Sequence, residues 1–235
     1  KQDIAQRDTP ERLLELEDIE AMALGAWILG TGGGGTSYTA LLSLRQLYAD
    51  GKQVRLKDPR SLPDDALVAV LSSQGAPLVG QERLSDPTVA TKPMRILEAY
   101  LGRNFDAVMP VEIGGGNGMQ GAMVAAETGL PVIDADGMGR AFPELQMVTY
   151  NVYGVDICPL VTTDDFSNSV TYETKTAQRS EWLARGVCVR MGGISQAAGY
   201  PMTGRQIKDT AVRHTLTLSV EIGQVVREAR EQHQD

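Results

Sequence analysis

The chain has 235 residues and a net charge of −8, enough for one large α/β domain, or for one domain and part of another. Acidic and basic residues are interspersed without a lysine or arginine cluster, so we expect no nucleic-acid partner. No apolar run has membrane-spanning length, no signal peptide is visible, and Cys158 and Cys188 form no CxxC unit. We therefore expect a cytoplasmic protein with buried thiols and no membrane partner.

The first third of the chain has the periodicity of helices around a glycine run. We expect one helix to begin at Pro10, with Thr9 as its N-cap, and to run to the glycines of "WILGTGGGGTSY" at 27–38. The alternative is a capped helix that begins with "EDIEAMALGAWIL" at 17–29 and runs up to the same glycines. A second helix follows the glycines and ends at Gly51. The segment "QVRLKD" then predicts a short strand.

The middle of the chain alternates buried strands with amphipathic helices. Apolar runs at 67–71, 105–113 and 130–134 predict strands, and the segments at 92–102 and 119–129 predict helices that end at glycines. The repeated order of strand, loop and helix predicts an α/β fold, a mostly parallel sheet with helices on both faces.

The character of the sequence changes near residue 160, where polar and β-branched residues become frequent. We divide the chain into an α/β N-terminal domain at 1–165 and a segment at 166–235. From the residues alone, the second part is interpreted as a connecting segment that ends in a solvated helix or in the start of another domain. In it, the stretch at 193–212 is interpreted as a glycine-punctuated connection, and "HTLTLSVEIG" as β-like before a charged helix.

The first glycine turn is a candidate ligand site made of backbone. A turn before a helix presents bare N–H groups and a positive dipole end, which bind anions or a developing oxyanion. No lysine follows the glycines, which excludes a P-loop, and the helix before them fits a dinucleotide fingerprint poorly. We expect no nucleotide cofactor; a tight packing turn is the structural alternative. The candidate substrate-binding residues here are Gly32, Gly33, Gly34, Gly35 and Thr36.

The second glycine turn, "VEIGGGNG", follows a buried strand and carries a carboxylate. In parallel sheets the carboxyl ends of the strands form the ligand crevice, so Glu112 is a candidate general base or metal ligand. The alternative is that it only caps the next helix. The candidate substrate-binding residues of this turn are Gly114, Gly115, Gly116 and Asn117.

The third loop, "DADGMGRAFPE", adds further charged residues at the same predicted edge of the sheet. Asp134 and Asp136 are candidate catalytic residues, since two aspartates at this spacing often bind a metal or orient a water, although they also occur in plain turns. Arg140 and Glu144 are candidate substrate-binding residues. A divalent metal is possible on this pattern. With only two histidines in the chain, we expect neither a histidine-rich zinc site nor a Ser-His-Asp triad.

The three loops together resemble a known family. The segments "ILGTGGGGTSYTA", "VMPVEIGGGNG" and "PVIDADGMGRAFPELQM", in this order, resemble the DUF917 family, described as S-methyl-thiohydantoin desulfurase-like and often encoded beside hydantoinase and oxoprolinase genes. The resemblance covers roughly residues 12–165 and implies an α/β domain followed by a smaller β-rich domain. It implies that the segment at 166–235 is a connection and the beginning of this C-terminal domain, which looks truncated. It also implies hydrolysis of a small cyclic amide, with C–S cleavage that releases methanethiol.

The interpretation from the residues agrees with that chemistry but leaves other functions open. The leading hypothesis is a hydrolase-type enzyme for a small thiohydantoin or hydantoin. The alternatives are a non-catalytic module that holds an anionic metabolite or nucleotide, and a structural subunit of a hydantoinase-like complex. The apolar segment "AMALGAWIL" suggests a possible homo-oligomer interface, with a buried core helix as the alternative.

Overall fold

The computed structural model of the chain describes residues 10–82 and 87–232. The strands in these ranges are β1 (Glu11–Leu14), β2 (Val54–Lys57), β3 (Leu67–Gly75), β4 (Ala107–Pro110), β5 (Val132–Ile133), β6 (Ala135–Asp136), β7 (Leu160–Thr163), β8 (Ser169–Tyr172), β9 (Ile194–Thr203) and β10 (Val212–Arg213). The α-helices are α1 (Leu16–Gly30), α2 (Ser37–Ala49), α3 (Pro77–Glu82), α4 (Lys92–Leu101), α5 (Gly115–Thr128), α6 (Thr149–Val152), α7 (Ala177–Arg190), α8 (Gly204–Thr210) and α9 (Thr215–Glu231).

Eight of these strands form one mixed sheet in the order β1-β2-β5-β4-β3-β9-β7-β8. The four neighbouring strands β2, β5, β4 and β3 run parallel to one another. Every other pair in the sheet is antiparallel: β1 with β2, β9 with β3, β7 with β9, and β8 with β7. The strands β6 and β10 pair separately. The predicted α/β fold class is confirmed, with the parallel strands at its centre.

Helices cover both faces of the sheet, as predicted. Alternate residues of β3 enter two different cores, because successive side chains of a strand point to opposite faces. Ala69 and Leu71 pack in the core that contains α1, α2, α4 and α5, whereas Val68 and Val70 pack in the core that contains α7 and α8. A strand that is buried on both faces has a continuous apolar sequence, and the apolar run at 67–71 predicts β3 for this reason.

The longest strand, β9, lies where the sequence predicts a connection, so that prediction is wrong. It pairs antiparallel with β3 on one side and with β7 on the other. Its centre consists of small residues, Ala197, Ala198 and Gly199, which carry little strand signal. A Cβ on Gly199 would lie 2.9 Å from Leu160 Cδ1, so the packing between strands favours the small residues.

The predicted helix start at Pro10 is also wrong, and Thr9 lies outside the described residues. The segment Glu11–Leu14 forms the edge strand β1, which pairs antiparallel with β2. The helix begins only at Leu16, where Asp18 Oδ2 accepts a hydrogen bond from Glu15 N at 3.1 Å. Pairing with β2 thus overrides the helical spacing of the leucines.

Residues Thr215–Glu231 form helix α9, so the β-like interpretation of "HTLTLSVEIG" is wrong. Helix α9 packs along α1 so closely that a Cβ on Gly25 would lie 1.9 Å from Ser219 O, and one on Gly223 would lie 1.8 Å from Ala21 O. Ser219 Oγ also donates a hydrogen bond to Met22 O at 2.8 Å. The last helix therefore belongs to the same packed unit as the first.

The division of the chain near residue 165 stays a prediction, although β8 and β9 continue the main sheet. The same holds for an oligomer interface on α1, where Ala21 and Ala26 are buried while Trp27 and Ile28 are exposed. Within residues 10–82 and 87–232, no helix has both the length and the apolar character needed to cross a membrane.

Candidate functional site

The two glycine turns meet and hydrogen-bond to each other. The first turn joins α1 to α2, and the second joins β4 to α5. Gly34 O accepts a hydrogen bond from Asn117 N at 3.1 Å, and Gly35 O accepts one from Gly116 N at 3.3 Å. The carbonyl groups of the first turn therefore satisfy N–H groups in the first turn of α5, which would otherwise lack partners.

The backbones of the turns approach too closely for any side chain. A Cβ on Gly34 would lie 2.2 Å from Gly114 O, and one on Gly115 would lie 2.4 Å from Gly35 O. The third loop joins this contact, because a Cβ on Gly114 would lie 2.5 Å from Ala141 N. The tight packing turn, which the sequence left as an alternative, therefore accounts for these three glycines.

The first turn nevertheless leaves backbone groups open to a ligand. In the part of the chain that the structure describes, the N–H groups of Gly34 and Gly35 donate no hydrogen bond. Residues 33–35 border a cavity, while Gly32 does not. Thr36 is the N-cap of α2, and its Oγ1 accepts a hydrogen bond from Tyr38 N at 3.2 Å.

The cavity has a volume of about 650 Å³, in the range of small-molecule sites. It lies at the carboxyl ends of β3 and β4, and its walls are the last residues of β3, the first glycine turn, the loop at 142–145, one face of α7 and the start of β9. This is the edge of the sheet at which the sequence predicts a site.

Glu112 is one of the acidic residues in the cavity wall and is 3% exposed. Its Oε1 accepts a hydrogen bond from Asn117 Nδ2 at 2.6 Å, and its Oε2 accepts one from Phe142 N at 2.7 Å. Burial raises the pKa of Glu112 to about 7, although both hydrogen bonds act in the opposite direction. A carboxylate retains lone pairs beyond these two bonds, so Glu112 can still accept a proton from a ligand or water.

Asn117 connects Glu112 to the end of β3. Its Oδ1 accepts hydrogen bonds from Ser73 N at 2.7 Å and from Ser73 Oγ at 2.9 Å, while its Nδ2 also donates to Ser73 O at 3.2 Å. These bonds fix the orientation of the amide, and thereby the position of the carboxylate. Ser73 borders the cavity and was missed in the sequence, where its only signal is its place just after a buried apolar run.

Asp136 does not line the cavity, but its hydrogen bonds hold together two of the loops that form the site. It is fully buried, and it accepts hydrogen bonds from Ile113 N at 2.7 Å and from Gly139 N at 2.9 Å. Burial raises its pKa to about 7, and the nearby charge of Glu112 adds to the increase. Asp136 thus holds the third loop against the turn that carries Glu112.

Asp134 lies at the beginning of α9 rather than at the cavity. Its Oδ1 accepts hydrogen bonds from Leu216 N and Thr217 N, both at 3.0 Å. His214 Nδ1 lies 3.4 Å from Asp134 Oδ2, and this hydrogen bond raises the pKa of His214. An acid at a helix N-terminus stabilises the helix, so the position of Asp134 explains why α9 begins there.

Of the two remaining predicted residues, one borders the cavity. Glu144 is exposed at its rim, whereas Arg140 is exposed elsewhere and donates a hydrogen bond to Ala141 O at 2.8 Å. The arginine in the wall is Arg185 of α7, which donates to Pro143 O at 2.5 Å and forms an ion pair with Glu181.

Helix α7 contributes four wall residues that were not predicted, Val189 and the three polar residues Glu181, Arg185 and Cys188. The three polar residues occur at spacings of four and three, so they share one helical face. Cys188 is buried, as expected for the thiols, and its Sγ lies 3.4 Å from Gln74 O. Cys158 is half-buried and accepts a hydrogen bond from Thr174 N at 3.2 Å.

The described residues, 10–82 and 87–232, contain no group of three or more His, Cys, Asp or Glu side chains placed to hold a metal ion. The metal dependence that the acidic loops suggested stays a prediction.

Comparisons with known proteins identify the family. The profile described as "S-Me-THD-like, N-terminal domain" matches residues 17–174, and "S-Me-THD-like, C-terminal domain" matches residues 175–235. A crystal structure of a protein from Chromobacterium violaceum is similar, with a TM-score of 0.79 and 26% sequence identity. The match covers 93% of this chain but only 62% of that one. No curated protein matches. The protein belongs to the S-Me-THD-like family.

Proposed function

We propose that the protein is a hydrolase for a small, uncharged cyclic amide of the thiohydantoin type, and that it cleaves a C–S bond. The observation that carries the proposal is the buried carboxyl group of Glu112 in the wall of the 650 Å³ cavity. A general base is most effective when its pKa lies near the working pH, and burial raises the pKa of Glu112 to about 7. The family description supplies the class of substrate.

In the proposed reaction, Glu112 accepts a proton from water, and the water oxygen bonds to the ring carbon that carries the S-methyl group. The electron pair of the C=N bond moves to the ring nitrogen, where the open N–H groups of Gly34 and Gly35 stabilise the charge. The electron pair on the ring nitrogen then forms the C=N bond again, and the C–S bond breaks. The methanethiolate that leaves takes the proton from Glu112. A proton shift from oxygen to nitrogen leaves a hydantoin and free methanethiol.

The charge of the cavity favours an uncharged substrate over an anion. Three carboxylates border it, those of Glu112, Glu144 and Glu181, and Arg185 is paired with Glu181. A phosphate or carboxylate ligand would meet repulsion there. The glycine run is also preceded by helix α1 instead of a strand, unlike the dinucleotide fingerprint. Both features argue against the alternative of a binding module for a nucleotide or an anionic metabolite.

The test is methanethiol release from an S-methyl-thiohydantoin by the wild-type protein and by Glu112→Gln. Loss of a general base costs about 10² to 10⁴ in rate, so we expect kcat to fall by at least about a hundredfold. The matched control is Glu228→Gln, which makes the same change on the exposed side of α9 and is expected to leave the rate unchanged. Thermal unfolding of each variant shows that it is folded. Equal turnover by wild type and Glu112→Gln would contradict the role of Glu112, and no release by wild type would contradict the proposed reaction.

A further inference from the structure

A second, smaller chamber opens beside the main cavity. It has a volume of about 140 Å³, close to the roughly 150 Å³ that accommodates benzene in a protein interior. Gly34, Gly35, Ser73 and Ile194 line both spaces. A ring held near Glu112 and the first glycine turn would therefore have this chamber within reach of a substituent.

The described residues in the walls of the chamber are neutral. None of its described lining residues carries a charge; they combine small and apolar residues such as Ala40 and Met123 with the hydroxyl groups of Thr39 and Ser43. A carboxylate in such surroundings would lose its hydration without gaining a cation, which costs far more than the transfer of an uncharged polar group. The chamber therefore discriminates against charged substituents.

Two glutamines give the chamber a specific hydrogen-bonding pattern. Gln120, which is 3% exposed on α5, donates a hydrogen bond from Nε2 to Oε1 of Gln196 on β9. The other two amide atoms, Gln120 Oε1 and Gln196 Nε2, take no part in this bond and form none of their own within the described residues. The pair thus offers a ligand one acceptor and one donor, and it would offer the same two groups if both amides were turned over.

We propose that this chamber is a specificity subsite for a ring substituent that ends in a carboxamide. The inference rests on the proposed function, because it takes the ring to occupy the main cavity. A carboxamide presents one N–H donor side and one carbonyl acceptor, which match Gln120 Oε1 and Gln196 Nε2. A carbamoylethyl group is smaller than benzene and fits the volume of the chamber.

The inference is tested by calorimetric binding of four hydantoins that share one ring. They are hydantoin itself and its 5-(2-carbamoylethyl), 5-(2-carboxyethyl) and 5-(3-methylbutyl) derivatives; the last three have substituents of equal size. With wild-type protein we expect the carbamoylethyl compound to bind at least about tenfold more tightly than the other two derivatives, since it alone satisfies both amides without charge. Equal affinities for the three derivatives would overturn the inference.

Substitution of the glutamines separates the chamber from the ring site. In Gln120→Leu, we expect the tenfold preference for carbamoylethyl over 3-methylbutyl to disappear while hydantoin itself binds as in wild type. Gln196→Met is a second variant with the same expected result, in case the first does not fold. Retained preference in a folded variant would overturn the inference. If hydantoin binds but the three derivatives do not differ, only the subsite is wrong; if no hydantoin binds, the proposed function and the subsite both fail.

Discussion

The carboxyl group of Glu112 is buried away from water, so we expect its ability to accept a proton to depend on pH near neutrality. Its pKa is raised from 4.5 to about 7 by burial, and only the ionised form accepts a proton. We expect kcat/KM for methanethiol release to increase as the pH rises from about 6 to 8, with an apparent pKa of about 7. A profile that is flat from pH 5 to 8 would show that Glu112 does not supply the base.

Substitution of Asn117 should change the apparent pKa of the pH profile. The variant Asn117→Asp keeps an oxygen for Ser73 but removes the donor that lies 2.6 Å from Glu112 Oε1. A second negative charge at this distance favours the protonated form of Glu112, so the apparent pKa should rise by about one unit or more. The control is Asn104→Asp, at an exposed position, whose profile should coincide with that of wild type.

Of the contacts between the two glycine turns, the one between Gly34 and Gly114 leaves the least space for a side chain. Gly34 and Gly35 have φ values of 76° and 75°, so alanine suffers the same backbone strain at both positions. Only at position 34 would the Cβ collide, 2.2 Å from Gly114 O; at position 35 nothing lies within 4 Å. We expect Gly34→Ala to lower the free energy of unfolding by about 2 kcal/mol or more beyond the effect of Gly35→Ala. Equal losses in urea unfolding would show that the turns can separate without cost.

The sequence predicts the residues and elements that have a pattern within their own segment. It misses those that depend on contact with another helix or strand. Glu112 and Asn117 were found because a buried strand and a glycine turn precede or surround them. Ser73 and Arg185 could not be placed, because their role depends on how β3 and α7 lie in space. The strand β9 was missed for the same reason: its small residues gain their strand structure from pairing on both sides.

The stability of the whole molecule should decrease as the pH rises through neutrality. Burial raises the pKa of Glu112 and Asp136 to about 7, and the hydrogen bond to Asp134 raises that of His214. A group whose pKa is higher in the folded state stabilises that state below its unfolded pKa, and this contribution is lost as the pH rises through the folded value. All three groups therefore act in the same direction.

We expect the free energy of unfolding to be higher at pH 5 than at pH 8, with each buried carboxyl contributing on the order of 2 kcal/mol. Denaturant unfolding across this range measures the slope. The window is set by the ordinary carboxyl values, 4.5 and 3.8, and the raised value of about 7. Glu112→Gln should flatten the dependence, and stability that increases toward pH 8 would contradict the assignment of both groups.

The contact between the glycine turns also has a consequence for the order of folding. Gly34 and Asn117 are joined by a hydrogen bond, although the helices α2, α3 and α4 and the strands β2, β3 and β4 lie between them in sequence. Closing so long a loop is entropically costly and is repaid only when the intervening elements have docked. We therefore expect the cavity to form late in folding. The amide hydrogens of Gly116 and Asn117 should gain protection from exchange together, after those of the strand centres.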